Sequence, residues 1–279
     1  MTTPRTLDEG LDRALLALEP CHDRVVIIGG MAARLLCTDP RSTSRTSEPI
    51  TTTDLDVLCA GLSSADASTA HSRLLLAGFH DVMEGDLEPP VTTHVLETEQ
   101  GPVSVEFLER GSGPARTRAG RERGTSRIGS LTAQRLVRTG ILLIEPWTVT
   151  RNIALAGEGC TIPIRVPNPC SFIVQKLLIH PRRKSPADRA KDLLYLVEML
   201  VAFGDRLDEL AEIARTRVWP AMSRTERRDA VGVAERLGVV GDVHLGAALQ
   251  AREAGWGAHG SADALAAACR EGLGALLPR

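Results

Sequence analysis

Lysine is nearly absent from this 279-residue chain. Lys176, Lys184 and Lys191 are the only three, and every other permanently positive side chain is arginine. Lysines gathered within sixteen residues mark either positions that need a compact ammonium where a planar guanidinium will not serve, or chance clustering on a solvated helix end. No apolar run approaches the ~20 residues needed to span a membrane. The N-terminal Met1-Thr2-Thr3-Pro4-Arg5 lacks an apolar signal core, so the expectation is a cytoplasmic protein with no membrane partner. Cys-x-x-Cys pairs are absent too. Cys21, Cys37, Cys59, Cys160, Cys170 and Cys269 are scattered, which predicts reduced, mostly buried thiols and not disulfides or a thiolate zinc site. A net charge of −2 does not point to indiscriminate nucleic-acid binding, so any such role needs a local basic patch.

What is present describes an ordinary globular protein, 43% hydrophobic and 24% charged, long enough for two lobes. The chain is organised around residues 25–58. Val25-Val26-Ile27-Ile28 reads as a buried strand. It ends in Gly29-Gly30, after which Met31 to Leu36 contains good helix formers. A strand turning on two glycines into a helix aims backbone N–H groups at whatever lies above the turn, a site suited to phosphate. The stretch closes with Thr52-Thr53-Asp54-Leu55-Asp56-Val57-Leu58, a second strand. Alternation places Asp54 and Asp56 on one face, roughly 6.5–7 Å apart along it, and Leu55 and Val57 on the buried face. Paired carboxylates on one face are commonly reconciled by a divalent cation; a solvated strand end is the plainer alternative.

Elsewhere the periodicity predicts an amphipathic helix over 7–18 and a helix from Ser63 to Gly78. Two strands follow, near Thr93–Glu97 and Val103–Leu108, joined at Gln100-Gly101-Pro102. In the second strand Glu106 lies opposite Val103, Val105 and Phe107, while Glu109 falls on the other face. Residues 110–127 are rich in Gly, Ser and Arg, with Arg116, Arg118, Arg121 and Arg123 among them; they form either a solvated loop or a grip for RNA phosphates. Leu131–Val137 reads as a short helix, and Ile141–Ile144 and Thr161–Val166 as strands. Pro167-Asn168-Pro169 ends the first lobe, giving boundaries of 1–167 and 168–279. From Cys170 onward the pattern is helical, with Lys176-Leu177 on one helix, the basic Arg182-Arg183-Lys184, and Arg189-Ala190-Lys191-Asp192 on the next.

Gly29-Gly30, a helix, and then Asp54-x-Asp56 resembles the signature of the polymerase-β-like nucleotidyltransferase superfamily. The pair Lys176-Leu177 and Arg189-Ala190-Lys191-Asp192 resembles the second lobe of its AbiEii and MenT-like toxin branch. The likeness spans roughly residues 20–200. It departs from the family at Ile50, where relatives often carry an arginine, and at Tyr195, where they carry an aspartate. The resemblance implies an α/β N-terminal lobe, a mixed β-sheet flanked by helices in the nucleotidyltransferase fold, followed by an all-α C-terminal lobe that completes the cleft.

It further implies an NTP substrate held at Gly29, Gly30, Thr52, Lys176, Arg189 and Lys191. Two Mg2+ ions would lie on Asp54, Asp56 and Glu106, with Glu106 either a metal ligand or a base. Lys176 and Asp192 would be catalytic. The implied reaction moves a nucleoside monophosphate to a hydroxyl and releases pyrophosphate. The acceptor would be RNA, a tRNA 3′ end, with an antitoxin protein as partner. A small-molecule acceptor of antibiotic type, or a non-catalytic nucleotide-binding module, remains an alternative.

Overall fold

The computed structural model describes residues 4–43, 52–84, 87, 89–111, 124–155, 158–256 and 260–278. The chain divides into two compact units, one of residues 1–32 and 51–166, the other of residues 33–50 and 167–279.

The first unit is built on a mixed sheet. Helix α1 (Leu7–Leu18) is capped by the Thr6 hydroxyl, which accepts from Glu9 N. Strand β1 (Val25–Ile28) runs directly into α2 (Gly29–Cys37), which begins in this unit and ends in the second. After β2 (Asp54–Cys59) comes α3 (Ser64–Leu76), whose capping box pairs Ser63 with Asp66. Gly78, at φ +98°, turns the chain back into β3 (His80–Glu84). The strands β4 (Val91–Thr98), β5 (Gly101–Arg110), β6 (Thr125–Ile128) and β7 (Leu131–Leu136) complete the layer.

The strand order is β1-β2-β5-β4-β3, with β7 joined to the far end of β5 and to β6. Strand β2 pairs with β1 antiparallel and with β5 parallel. Alternation along β5 buries Val103, Val105 and Phe107 on one face. Helix α1 lies so close to that face that a Cβ on Gly10 would stand 2.8 Å from Val103 Cγ2. A separate hairpin, β8 (Trp147–Leu155) with β9 (Glu158–Val166), is tied to α1 by Arg151, whose Nε donates to Asp12 at 2.5 Å, and to the turn before β1 by Arg165, which donates to the Asp23 carbonyl.

The expected mixed sheet flanked by helices, with a helical C-terminal region, is what the chain forms. Two local readings are corrected. Leu131–Leu136 is a strand, not a helix, because its backbone completes the edges of β5 and β6; tertiary pairing overrides the helical preference of its side chains. Gly140–Leu143 is a 3-10 turn, not a strand, closed by Leu142 N donating to Thr139 O.

The second unit contains α4 (Pro169–Ile179), α5 (Pro186–Ala202), α6 (Leu207–Ile213), the single turn α7 (Trp219–Ala221), α8 (Arg224–Leu237), α9 (Asp242–Glu253) and α10 (Ala262–Leu276). Pro169 and Pro186 occupy the first helical turn, where a missing N–H costs nothing. Asn168 caps α4 by accepting from Ser171 N at 2.8 Å. Helix α5 packs on α9 and α10. The contact with α10 is close enough that a Cβ on Gly272 would meet Leu200 Cδ2 at 2.7 Å. Trp219 Nε1 donates to the Leu276 carbonyl and holds the end of α10.

Candidate active site

The parallel register of β2 and β5 aligns Asp54 with Ser104 and Asp56 with Glu106. On the other side of β2, Asp56 is aligned with Ile28, the last residue of β1. On the far side of β5, Glu106 is aligned with Thr93 of β4. One row of the sheet therefore reads Ile28, Asp56, Glu106, Thr93. Neighbouring strands lie about 4.8 Å apart, so the Asp56 and Glu106 carboxyl groups leave one face of the sheet side by side. Burial agrees with this facing. Leu55, Val57, Val105 and Phe107 are buried on the opposite face, Asp56 and Glu106 are half-buried, and Asp54 is exposed.

Hydroxyls on the same face meet Asp54 and Glu106. Ser104 Oγ donates to Asp54 Oδ1 at 2.7 Å. Thr93 Oγ1 makes a longer contact of 3.4 Å with Glu106 Oε1. Ser104 escaped the sequence reading although the signal was present: it stands two residues before Glu106 and so shares its face. Thr52 is buried, and its hydroxyl engages the backbone N and O of Asp54 at 3.3 Å. The hydroxyl thus shapes the entry to β2.

Gly29 follows Ile28 at the point where β1 becomes α2. Its φ is +66°, and a Cβ added there would stand 2.0 Å from Asp56 Oδ2 and 3.0 Å from Asp56 Cγ. Only glycine admits both the left-handed backbone and the carboxylate against it. Gly30 is buried as the second residue of α2. Gly29 and Asp56, separated by more than twenty residues of sequence, thus meet at one spot.

The expected Lys176, Arg189, Lys191 and Asp192 belong to the second unit. Lys176 is buried on α4, and its Nζ donates to Asp192 Oδ1 at 2.8 Å. The ammonium also lies 4.9 Å from the ring centroid of Tyr195 and 5.5 Å from that of Phe172, within cation–π range. Arg183 closes the cluster, with Nε donating to Asp192 Oδ2 at 2.8 Å. Burial of Asp192 works to raise its pKa, but the charge and hydrogen bonds of Lys176 and Arg183 prevail and hold it below the usual carboxylate range. Lys191 is half-buried, with its ammonium 5.7 Å from the Tyr195 ring. Arg189 is half-buried, and its Nε has no hydrogen-bond partner among the described residues. Lys184 is exposed. Arg116, Arg118, Arg121 and Arg123 lie outside the described residues. No helix among the described residues is long and apolar enough to cross a membrane.

Comparison with known proteins places this geometry in context. Among solved structures, the chain is similar to an antigenic nucleotidyltransferase-like protein from Paracoccidioides brasiliensis, at 15% identity and a TM-score of 0.37, over 71% of this chain and 78% of that one. It is also similar to the antibiotic-resistance factor ANT(2'')-Ia, at 12% identity and a TM-score of 0.33, over 75% of this chain and 95% of that one. No curated protein matches the sequence. A family model described as Nucleotidyltransferase matches residues 10–219, a span that contains the glycine turn, all three carboxylates and the Lys176–Asp192 pair. The chain belongs to the nucleotidyltransferase family.

Proposed function

We propose that this protein transfers a nucleoside monophosphate from an NTP to a hydroxyl of RNA, a tRNA 3′ end, as the toxin of a toxin–antitoxin pair of the AbiEii or MenT type. The observation that carries the transferase reading is the register that sets Glu106 beside Asp56, with Gly29 leaving room for the Asp56 carboxylate. The RNA reading is supported by the arginines of residues 110–127.

The donor set suits magnesium. Asp54, Asp56 and Glu106 offer only hard oxygen donors from one sheet face, which is what Mg2+ selects, and the missing Cβ at Gly29 keeps the Asp56 oxygen accessible from the turn. These three residues would hold two ions. When bound, the ions would offset charge on the phosphates and lower the pKa of the acceptor hydroxyl. The N–H groups at the start of α2 would receive the phosphates of the nucleotide. Glu106 would receive the proton of the attacking hydroxyl, either directly or through water. The acceptor oxygen forms a bond to the α-phosphorus, the bond from that phosphorus to the bridging oxygen of the β-phosphate breaks, and the electron pair leaves with pyrophosphate. The work of the chain in such a transfer is positioning and charge stabilisation, not covalent catalysis.

The test is incubation with labelled NTPs, with and without total tRNA, for wild type and Asp56→Ala. Label transferred to tRNA by wild type alone supports the reading. Label transferred only to small hydroxyl compounds would move the acceptor to the antibiotic class. Nucleotide binding with no transfer to any acceptor would leave a binding module. Asp56→Ala that retains near-normal transfer, or full magnesium-dependent thermal stabilisation, would overturn the assignment of the carboxylates.

A further inference from the structure

The face of the sheet opposite the carboxylates carries a second set of chemically able side chains. The row next to Asp56 and Glu106 runs Leu55, Val105, His94, Asp81 across β2, β5, β4 and β3. Leu55 and Val105 are fully buried, and His94 is 1% exposed. Asp81 sits on β3 at the end of the strand order, and its side chain keeps 29% of its surface. Above it lies α3, whose buried face is Ala67, Ala70 and Leu74. His71 stands beside that face with 19% of its side chain exposed. The turn at Gly78, which leads α3 directly into β3, brings His71 over Asp81.

The three side chains converge. His71 Nε2 lies 2.9 Å from Asp81 Oδ2, and His94 Nδ1 lies 2.7 Å from Asp81 Oδ1. One donor atom from each falls within 4.8 Å of the other two. The imidazole rings are 5.4 Å apart. The floor is apolar: the His94 ring stands at 83° to that of Phe107, with centroids 5.6 Å apart. Two imidazole nitrogens and one carboxylate oxygen, drawn from three different elements, with a dry floor and an open side, make up the donor set of a borderline transition-metal ion.

We propose that His71, Asp81 and His94 form a binding site for one Zn2+-class divalent ion, with the fourth coordination position open to water. Binding needs the donor atoms, now within 4.8 Å of one another, to close around the ion. A tetrahedral ion with ligands at about 2.0–2.2 Å sets its donors roughly 3.3–3.5 Å apart, so the two histidines would draw back from Asp81 by about half an ångström. The site is separate in kind from the first. Two nitrogens disfavour Mg2+ here, whereas the all-oxygen set of Asp54, Asp56 and Glu106 favours it. An ion at this position would pin α3 to the edge strand, and through β4 it would steady the strand whose Thr93 meets Glu106. The proposal stands independently of the transferase reading.

The experiment uses the full-length chain, stripped with chelator and kept in excess Mg2+ so that the carboxylate site does not compete. Zn2+ is titrated by calorimetry, and Co2+ is added in parallel as a spectroscopic probe. The expected result is one Zn2+ per chain, a visible tetrahedral Co2+ spectrum, and a Zn2+-dependent rise in melting temperature. His71→Ala, at the more accessible of the two histidines, should weaken Zn2+ by about 100-fold or more and abolish the Co2+ spectrum. Asp54→Ala should leave both unchanged. His94→Gln should behave as His71→Ala if it folds; if it does not, the His71→Ala comparison and the wild-type Co2+ spectrum decide alone. No Zn2+ binding by wild type, or equal Zn2+ affinity in wild type and His71→Ala, would overturn the site and show that Asp81 simply bridges two imidazoles by hydrogen bonds.

Discussion

Asp56 Oδ2 occupies the space that a side chain on Gly29 would need: the two would be 2.0 Å apart. This single contact joins the turn after β1 to the carboxylate-bearing face of β2. It predicts that the first of the two glycines will not accept even the smallest chiral residue.

Gly29→Ala should therefore fail twice. The left-handed backbone at φ +66° costs an alanine roughly 1–2 kcal/mol, which urea unfolding would register. The methyl group would also push the Asp56 carboxylate away, so transfer activity should fall by far more than that loss of stability accounts for. A Gly29→Ala variant with normal activity and normal magnesium response would mean that Asp56 does not need its present position.

The buried Lys176–Asp192 pair makes a prediction about stability and pH. Removing one partner of a buried ion pair leaves the other uncompensated, at a cost of about 3–5 kcal/mol, so Lys176→Met and Asp192→Asn should each destabilise the protein by that order. The double variant should recover part of the loss. The sign of the pH effect follows from Asp192, whose folded pKa is depressed relative to about 3.9 in the unfolded chain. Its stabilisation is fully present above that unfolded value and is lost as pH falls through the folded one. The gap in stability between wild type and Asp192→Asn should be widest near neutrality and should narrow below about pH 4. A gap that is constant down to the lowest accessible pH would show that the carboxylate is not ionised in the fold.

Thiol chemistry gives a direct check on packing. Cys21, Cys37, Cys59, Cys170 and Cys269 are buried and Cys160 is exposed. Burial pushes the Cys21 thiol up to about 11 and those of Cys59, Cys170 and Cys269 up to about 12. A thiol reagent at neutral pH should titrate one cysteine rapidly, lose that phase in Cys160→Ser, and reach the other five only in denaturant. A second rapid thiol would contradict the packing around one of the buried five.

The acceptor can be probed through salt. If RNA docks on the arginines of residues 110–127, log K should fall with log[salt] by about 0.7 per phosphate contact on a single strand. Replacing Arg118, Arg121 and Arg123 with alanine should then flatten the slope by up to about 2 units, with NTP affinity nearly unchanged. Loss of NTP affinity in the same variant would assign those arginines to the nucleotide instead.

Much of the first unit can be read residue by residue. Strict alternation along Asp54-Leu55-Asp56-Val57 determines that the aspartates share a face, because side chains on a strand must alternate. The paired glycines after Val25–Ile28 determine a turn into a helix, because only glycine tolerates a positive φ so cheaply. The Ser63 cap and the prolines at 169 and 186 mark helix starts by supplying an acceptor or omitting an N–H that would have no partner. These are local effects, and the information for them lies within a few residues.

Only the tertiary structure decided which strand lies beside which. Nothing near Glu106 states that β5 runs parallel to β2 in the register that aligns it with Asp56; that pairing is made by backbone hydrogen bonds between segments some fifty residues apart. The same is true of Leu131–Leu136, whose side chains suit a helix but whose backbone is claimed by β5 and β6. Lys176 shows the limit most clearly. The resemblance assigns it to the nucleotide, and the fold alone shows that its ammonium is buried against Asp192, Tyr195 and Phe172. A lysine alone prefers water, and it can be enclosed here because the fold brings a carboxylate from the next helix to within hydrogen-bonding distance.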